Sequence, residues 1–194
     1  MPWQFDTNLS KVLWSVGYLG VGTVRGRFTD IQADLQIDAD NPLEWRTSVT
    51  INAASLYSGY TMMDDHLRSD DFLDVERYPT IEFRSSRIEV LPAGGVQVPN
   101  QKYSGAVGWE PHADHLKISG DLTLHGVTRP AELDAWYFGQ VTDGRGQTRR
   151  SFTAETSVRR GDFNLLMSSD RAERSIADEV VNLTIDVIAT RISD

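Results

Sequence analysis

The stretch DDHLRSDDFLD, Asp64 to Asp74, packs five aspartates, one histidine and one arginine into eleven residues. Close carboxylates beside an imidazole are the ingredients of general acid–base catalysis, and the same groups bind divalent metals. A second stretch, EPHADH, offers Glu110, His112, Asp114 and His115. These donors suit zinc or nickel, but no fourth partner is defined, so no structural metal site is expected there. The competing reading of the first stretch is architectural. Asp64 or Asp65 caps a helical turn carrying His66, Leu67 and Arg68, and Ser69 or Asp70 caps a second carrying Phe72 and Leu73. Leu67, Phe72 and Leu73 then dock the segment as a cap over something else. His125 in LHGVT is out of phase with Leu122 and Leu124 and is expected outside the apolar face or in a turn. There is no G-x-S-x-G elbow and no Walker loop, and GVGTVRG at 20–26 lacks the strand–loop–helix context of a dinucleotide fingerprint. The expectation is a cap: no catalytic residue, no metal ligand and no cofactor is assigned.

Composition narrows the partners. The 194 residues carry 28 acidic and 19 basic side chains, a net charge of −9. That disfavours nucleic acid, whose affinity comes from Lys and Arg, and gives no attraction to anionic membrane. The pairs Arg149–Arg150 and Arg159–Arg160 read as solvated strand ends. There is no cysteine, which excludes thiol catalysis and Cys-type metal sites. No run approaches the ~18 apolar residues of a transmembrane helix, so stable membrane insertion is not expected. No charged N-terminal region leads into an apolar run, so the expected location is cytoplasmic; a chain whose leader had been removed would read the same.

The elements that position these residues are mostly strands. IQADLQID alternates Ile31, Ala33, Leu35 and Ile37 against polar neighbours, LKISGDLTL does so with Leu116 to Leu124, and VNLTIDVIA puts Val181, Leu183, Ile185, Val187 and Ala189 on one face. Period two with one apolar face is the mark of half-buried antiparallel strands. Further strands are expected near 10–18, 46–54, 80–90, 102–109, 131–141 and 147–159, eight to ten in all. Two of them change phase. Val24, Gly26 and Phe28 are even but Ile31 to Ile37 odd; Ile81 and Phe83 are odd but Ile88 and Val90 even. A bulge keeps the apolar face inward through such a slip, and bulged strands suit a curved, closed sheet. Asp170 and Glu173 form a second helix-start signal.

GRF at 26–28, DDHLRSDDFLDVERYPTIEFRSS at 64–86, GDLTLHGVTRP at 120–130, RGDFNL at 160–165 and ADEVVNLTID at 177–186 follow in this order. Together they resemble the YceI-like family of lipid-binding, lipocalin-like barrels, over nearly the whole chain. The resemblance implies one domain over 1–194: an all-β, extended, antiparallel eight-stranded barrel with one or two short helices capping an end. It implies a long-chain amphiphile as ligand, such as a polyisoprenoid, an isoprenoid quinone or a fatty-acid derivative, and a homodimer. Many members are secreted or periplasmic. This chain departs from the family at Leu9 and Tyr18, where histidine is frequent.

The expected lining is Trp14, Val16, Phe28, Leu35, Ile51, Ile81, Phe83, Leu122, Leu124, Phe152, Leu183 and Ile185, with Tyr18, His66 and Arg68 near a ligand's polar head. On pattern alone a dry, filled core reads the same as a lined cavity; the resemblance favours the cavity. The alternatives are a metal-dependent or acid–base barrel enzyme built on His66 and its aspartates, and a filled barrel acting as a stress-response or interaction module.

Overall fold

The computed structural model describes residues 2–37, 41–92, 114–165 and 177–192. Eleven strands join one antiparallel sheet: β1 (Gln4–Phe5), β2 (Lys11–Tyr18), β3 (Gly22–Phe28), β4 (Ile31–Gln36), β5 (Arg46–Asn52), β6 (Leu56–Tyr57), β7 (Thr80–Val90), β8 (Asp114–Leu124), β9 (Val127–Thr142), β10 (Gln147–Arg159) and β11 (Ala177–Ile192). The hydrogen-bonded order is β4-β5-β7-β8-β9-β10-β11-β2-β3-β6, with β1 added on β11. β3 and β4 stand near opposite ends of this path, yet only Thr29 and Asp30 separate them in the chain. They are two halves of one bent strand, and the ribbon curls round to meet itself there. Counting that strand once, and setting aside the two-residue β1 and β6, leaves eight staves, as a lipocalin-like barrel requires.

Only one of the two changes of phase has the anticipated cause, a bulge; the other falls at a break between strands. The β3–β4 slip falls at the Thr29–Asp30 bend. The β7 slip falls at a register shift between Ser85 and Arg87 against β8. Phe83 and Ile88 are therefore both buried although they differ in parity. A further shift between Arg150 and Phe152 bends β10 against β9. The expected strand at 102–109, the residues Glu110 and His112, and the Asp170–Glu173 signal lie outside the described residues.

Among the described residues one α-helix, α1, spans Thr61–Arg68. It starts before the anticipated capping residues. Tyr60 occupies the N-cap position without a side-chain cap bond, and Asp64 lies within the helix, buried, accepting a hydrogen bond from Ser58 N at 2.8 Å. Ser69 ends the helix instead of starting a second one. Its hydroxyl donates to His66 O at 2.8 Å, and its carbonyl accepts from Phe72 N and Asp74 N. The aspartate-rich stretch is thus a helix followed by tight turns, and Asp74 takes a positive φ of 45° within them.

Candidate functional site: an apolar barrel interior

The inward residues leave a cavity of about 890 Å³. All twelve residues expected as lining border it: Trp14, Val16, Phe28, Leu35, Ile51, Ile81, Phe83, Leu122, Leu124, Phe152, Leu183 and Ile185. They come from eight strands because each strand sends alternate side chains to one face. Gly120 thins the wall where a ring needs room. A Cβ built on Gly120 would stand 2.7 Å from the Phe83 ring and 2.3 Å from Arg84 O.

The two ends differ. β11 runs from Ala177, opposite Tyr18, to Ala189, opposite Arg150 and Phe5. At the Ala189 end the buried residues Trp3, Ile37 and Trp45 gather around Arg150. Its guanidinium carbon lies 4.7 Å from the Trp3 ring centroid, 5.4 Å from Trp45 and 6.0 Å from Tyr137. It donates to Ile37 O and, at 3.2 Å, to Gln140 Oε1. A cation taken from water is held here by ring quadrupoles and oxygen acceptors, and it closes this end of the barrel.

At the Tyr18 end the cavity is bordered by Tyr18, Tyr60, Met62, Met63 and His66, with Leu67, Phe72 and Leu73 beneath the cap. Tyr78, whose N–H donates to Asp74 O at 2.8 Å, joins the cap to the β8–β9 turn. Tyr78 stacks edge-on against His125, ring centroids 4.4 Å apart, and His125 Nδ1 lies 3.2 Å from Phe163 O. His125 sits in the β8–β9 turn at a positive φ of 51°, as its phase indicates.

Arg68 does not border the cavity. It donates through Nε to Ala54 O at 2.9 Å and through its other nitrogens to Leu56 O and Asp65. Arg68 is the tether that binds α1 to the segment before it, through Ala54 O and Leu56 O. His66, two residues earlier and so on the opposite face of the helix, does border the cavity. Of the second acidic–histidine stretch, Asp114 and His115 open β8, and His115 stacks on Trp136 with centroids 5.2 Å apart. Among the described residues no three His, Asp or Glu side chains gather as a metal would require.

Two arginines expected in solvent are buried. Arg150 forms the closed end, and Arg160 donates to Asp178 O at 3.0 Å and Ala177 O at 2.8 Å beside the open end. Burial pulls the Arg160 guanidinium below its ordinary pKa, against the opposing pull of Glu179 and Asp178. A dibasic pair on a strand has one member on each face by parity. With Phe152, Ala154, Thr156 and Val158 facing inward, Arg150 and Arg160 share the inward parity, and that signal was present in the sequence.

The model of the YceI-like domain matches residues 3–189. The chain belongs to the YceI-like family. It is 32% identical over 176 residues to the YceI protein of Escherichia coli, covering 91% of this chain and 78% of that one. The barrel matches the crystal structure of BcnA from Burkholderia cenocepacia with a TM-score of 0.73, at 19% identity, over 95% of this chain and 99% of that one. It also matches a polyisoprenoid-binding domain from Saccharophagus degradans with a TM-score of 0.64, at 12% identity, over 97% and 98% of the two chains. These likenesses show a YceI-like, lipocalin-like barrel. Leu9 is exposed in the turn before β2, and Tyr18 borders the cavity mouth.

Proposed function

We propose that this YceI-like barrel binds and carries one long-chain amphiphile, an isoprenoid or acyl lipid, with its tail toward Trp45 and its polar end among Tyr18, Tyr60 and His66. The observation that carries the reading is the cavity itself: about 890 Å³, within the ~300–1,000 Å³ range of small-molecule sites, and walled almost wholly by aliphatic and aromatic side chains. Each methylene withdrawn from water contributes about 0.8 kcal/mol, so ten buried carbons contribute on the order of 8 kcal/mol before ordering costs. No aligned polar constellation is needed for such affinity. The polyisoprenoid-binding domain with the same fold supports the same class of ligand. A binding role, not catalysis, is what a smooth apolar interior favours.

The test is organic extraction of the purified protein followed by mass spectrometry, with displacement of a fluorescent acyl or prenyl probe. A co-purifying lipid, or saturable probe binding at one site per chain, is the expected result. A protein that yields no lipid and binds neither probe is not a carrier. A stoichiometric metal by elemental analysis, lost in His66→Ala, would favour the metal-enzyme reading instead.

A further inference from the structure

The open end of the barrel carries apolar side chains on its outside as well as its inside. The β2–β3 turn places Leu19 55% and Val21 90% exposed, beside Tyr18. β6 runs antiparallel beside β3, Phe28 opposite Leu56 and Arg27 opposite Tyr57. The residues after β6 are therefore carried toward the same turn, where Tyr60 and Met62 are also exposed. Tyr18, Tyr60 and Met62 border the cavity at the same time. Lining and rim are one continuous apolar surface.

Two features separate this rim from scattered surface hydrophobics. First, residues 12–24 and 47–63, the stretches that build it, contain no Asp, Glu, Lys, Arg or His, in a chain that is 24% charged. Second, Leu19 adopts a φ of +54° and Gly20 of +67°. A left-handed position in a tight turn suits Gly, Asn or Asp, and a branched aliphatic there is disfavoured. Leu19 neither packs in the core nor improves its turn, but it projects an apolar side chain past the end of the barrel.

We propose that this apolar rim, Tyr18–Val21 with Tyr60 and Met62, docks reversibly on an electrically neutral phospholipid surface and sets the cavity mouth against it. The inference rests on the carrier reading, because a ligand too insoluble to cross water must enter from its donor. Charge selects the surface: a net charge of −9 repels anionic lipid, and the Asp178 carboxylate against Gly17 adds to that repulsion beside the rim, whereas the apolar side chains of the rim insert into a zwitterionic interface by burial.

The test uses the full chain and vesicles of pure phosphatidylcholine, or of phosphatidylcholine mixed with phosphatidylserine, read by co-sedimentation. Wild type is expected to partition onto phosphatidylcholine, with no gain from phosphatidylserine. Leu19→Asn with Val21→Thr should weaken partitioning about tenfold at unchanged thermal midpoint, since neither residue borders the cavity and Asn suits the turn. Val21→Thr alone, at a nearly free side chain, should show part of the loss if the double variant folds poorly. The proposal is overturned by absent wild-type binding, by equal partitioning of the variants, or by tighter binding to phosphatidylserine. It is equally overturned if the rim mediates self-association in sedimentation equilibrium and no vesicle binding, since a second copy then covers it. Lipid extracted from the same preparations separates the two ideas. A loaded cavity without rim-dependent docking sinks only the docking surface, and rim-dependent docking by a chain that never holds lipid sinks only the carrier reading.

Discussion

Gly26 and Trp14 are register partners on β3 and β2, and the missing side chain of the one is filled by the ring of the other. A Cβ built on Gly26 would stand 2.2 Å from Trp14 Cζ2 and 2.7 Å from Tyr57 O. The backbone carbonyl cannot retreat without breaking the β3–β6 pairing, and the indole cannot retreat without entering the cavity. Glycine in GRF is therefore required by close approach, as strand glycines often are. Gly26→Ala should destabilise the fold by about 1–3 kcal/mol through overpacking, read as a lower urea midpoint. An unchanged midpoint would mean that Trp14 repacks freely into the cavity, and probe binding should then fall.

Most of the barrel was legible in the sequence because its signal is local. Alternation along 31–37, 116–124 and 181–189 sets which side chains face inward, and the parity slips at 29–30 and near Ser85 mark the bends that let a sheet close. The lining followed from the same parity. What escaped is non-local or depends on geometry around a turn. Arg68 and His66 sit two residues apart in one helix, and nothing in DDHLRS says which faces the cavity until the axis of α1 is known. Arg150 looked like a solvated strand end because charge usually goes outward. Its aromatic partners Trp3, Trp45 and Tyr137 come from three distant parts of the chain, so the cage is invisible to any window. The start of α1 at Tyr60–Thr61 was missed because its N-cap makes no side-chain bond and the aspartates downstream mimic one.

Asp143 gives the fold a defined acid sensitivity. It accepts from Arg149 at 2.7 Å and from the backbone N–H groups of Arg145 and Gln147 at 2.9 and 3.0 Å. The bond to Arg149 and these two N–H groups hold its carboxyl below the ordinary carboxylate pKa. A depressed folded-state pKa contributes stability that is present above the unfolded value, ~3.9, and lost as pH falls through the folded one. Asp143→Asn should therefore lower the thermal midpoint near neutral pH, with the gap from wild type narrowing below about pH 4. A gap that stays constant down to pH 2 would place the role of Asp143 in hydrogen bonding alone.

Leu35 tests whether the interior is a binding space. Its side chain borders the cavity from β4, opposite Thr47. In a close-packed core Leu35→Trp would overpack at a cost of about 1–3 kcal/mol. In a cavity kept for a lipid the indole takes volume the ligand would use. The expected outcome is a near-normal urea midpoint with a severalfold drop in probe binding or extracted lipid. A strongly lowered midpoint with undiminished lipid content would count against the cavity.

The cap over the open end should be the part of the barrel that yields first. α1 is eight residues long, shorter than the ~12–15 residues at which isolated helices become even marginal, so its order depends on docking. That docking consists of Leu67, Phe72 and Leu73 against the interior, the Asp64–Ser58 bond, and the Arg68 tether to Ala54 O and Leu56 O. Segments held by few contacts open locally before the sheet does, and such segments gate many ligand sites. Amides of 61–76 should exchange faster than those of β8 to β11, and faster still after the lipid has been extracted. Arg68→Ala removes the tether without touching the lining. It should accelerate exchange in α1 and speed probe uptake while changing equilibrium affinity little, because only the height of the opening step is altered. If exchange in 61–76 matches the central strands with and without lipid, or if Arg68→Ala loads at the wild-type rate while α1 demonstrably loosens, ligand enters elsewhere than under α1.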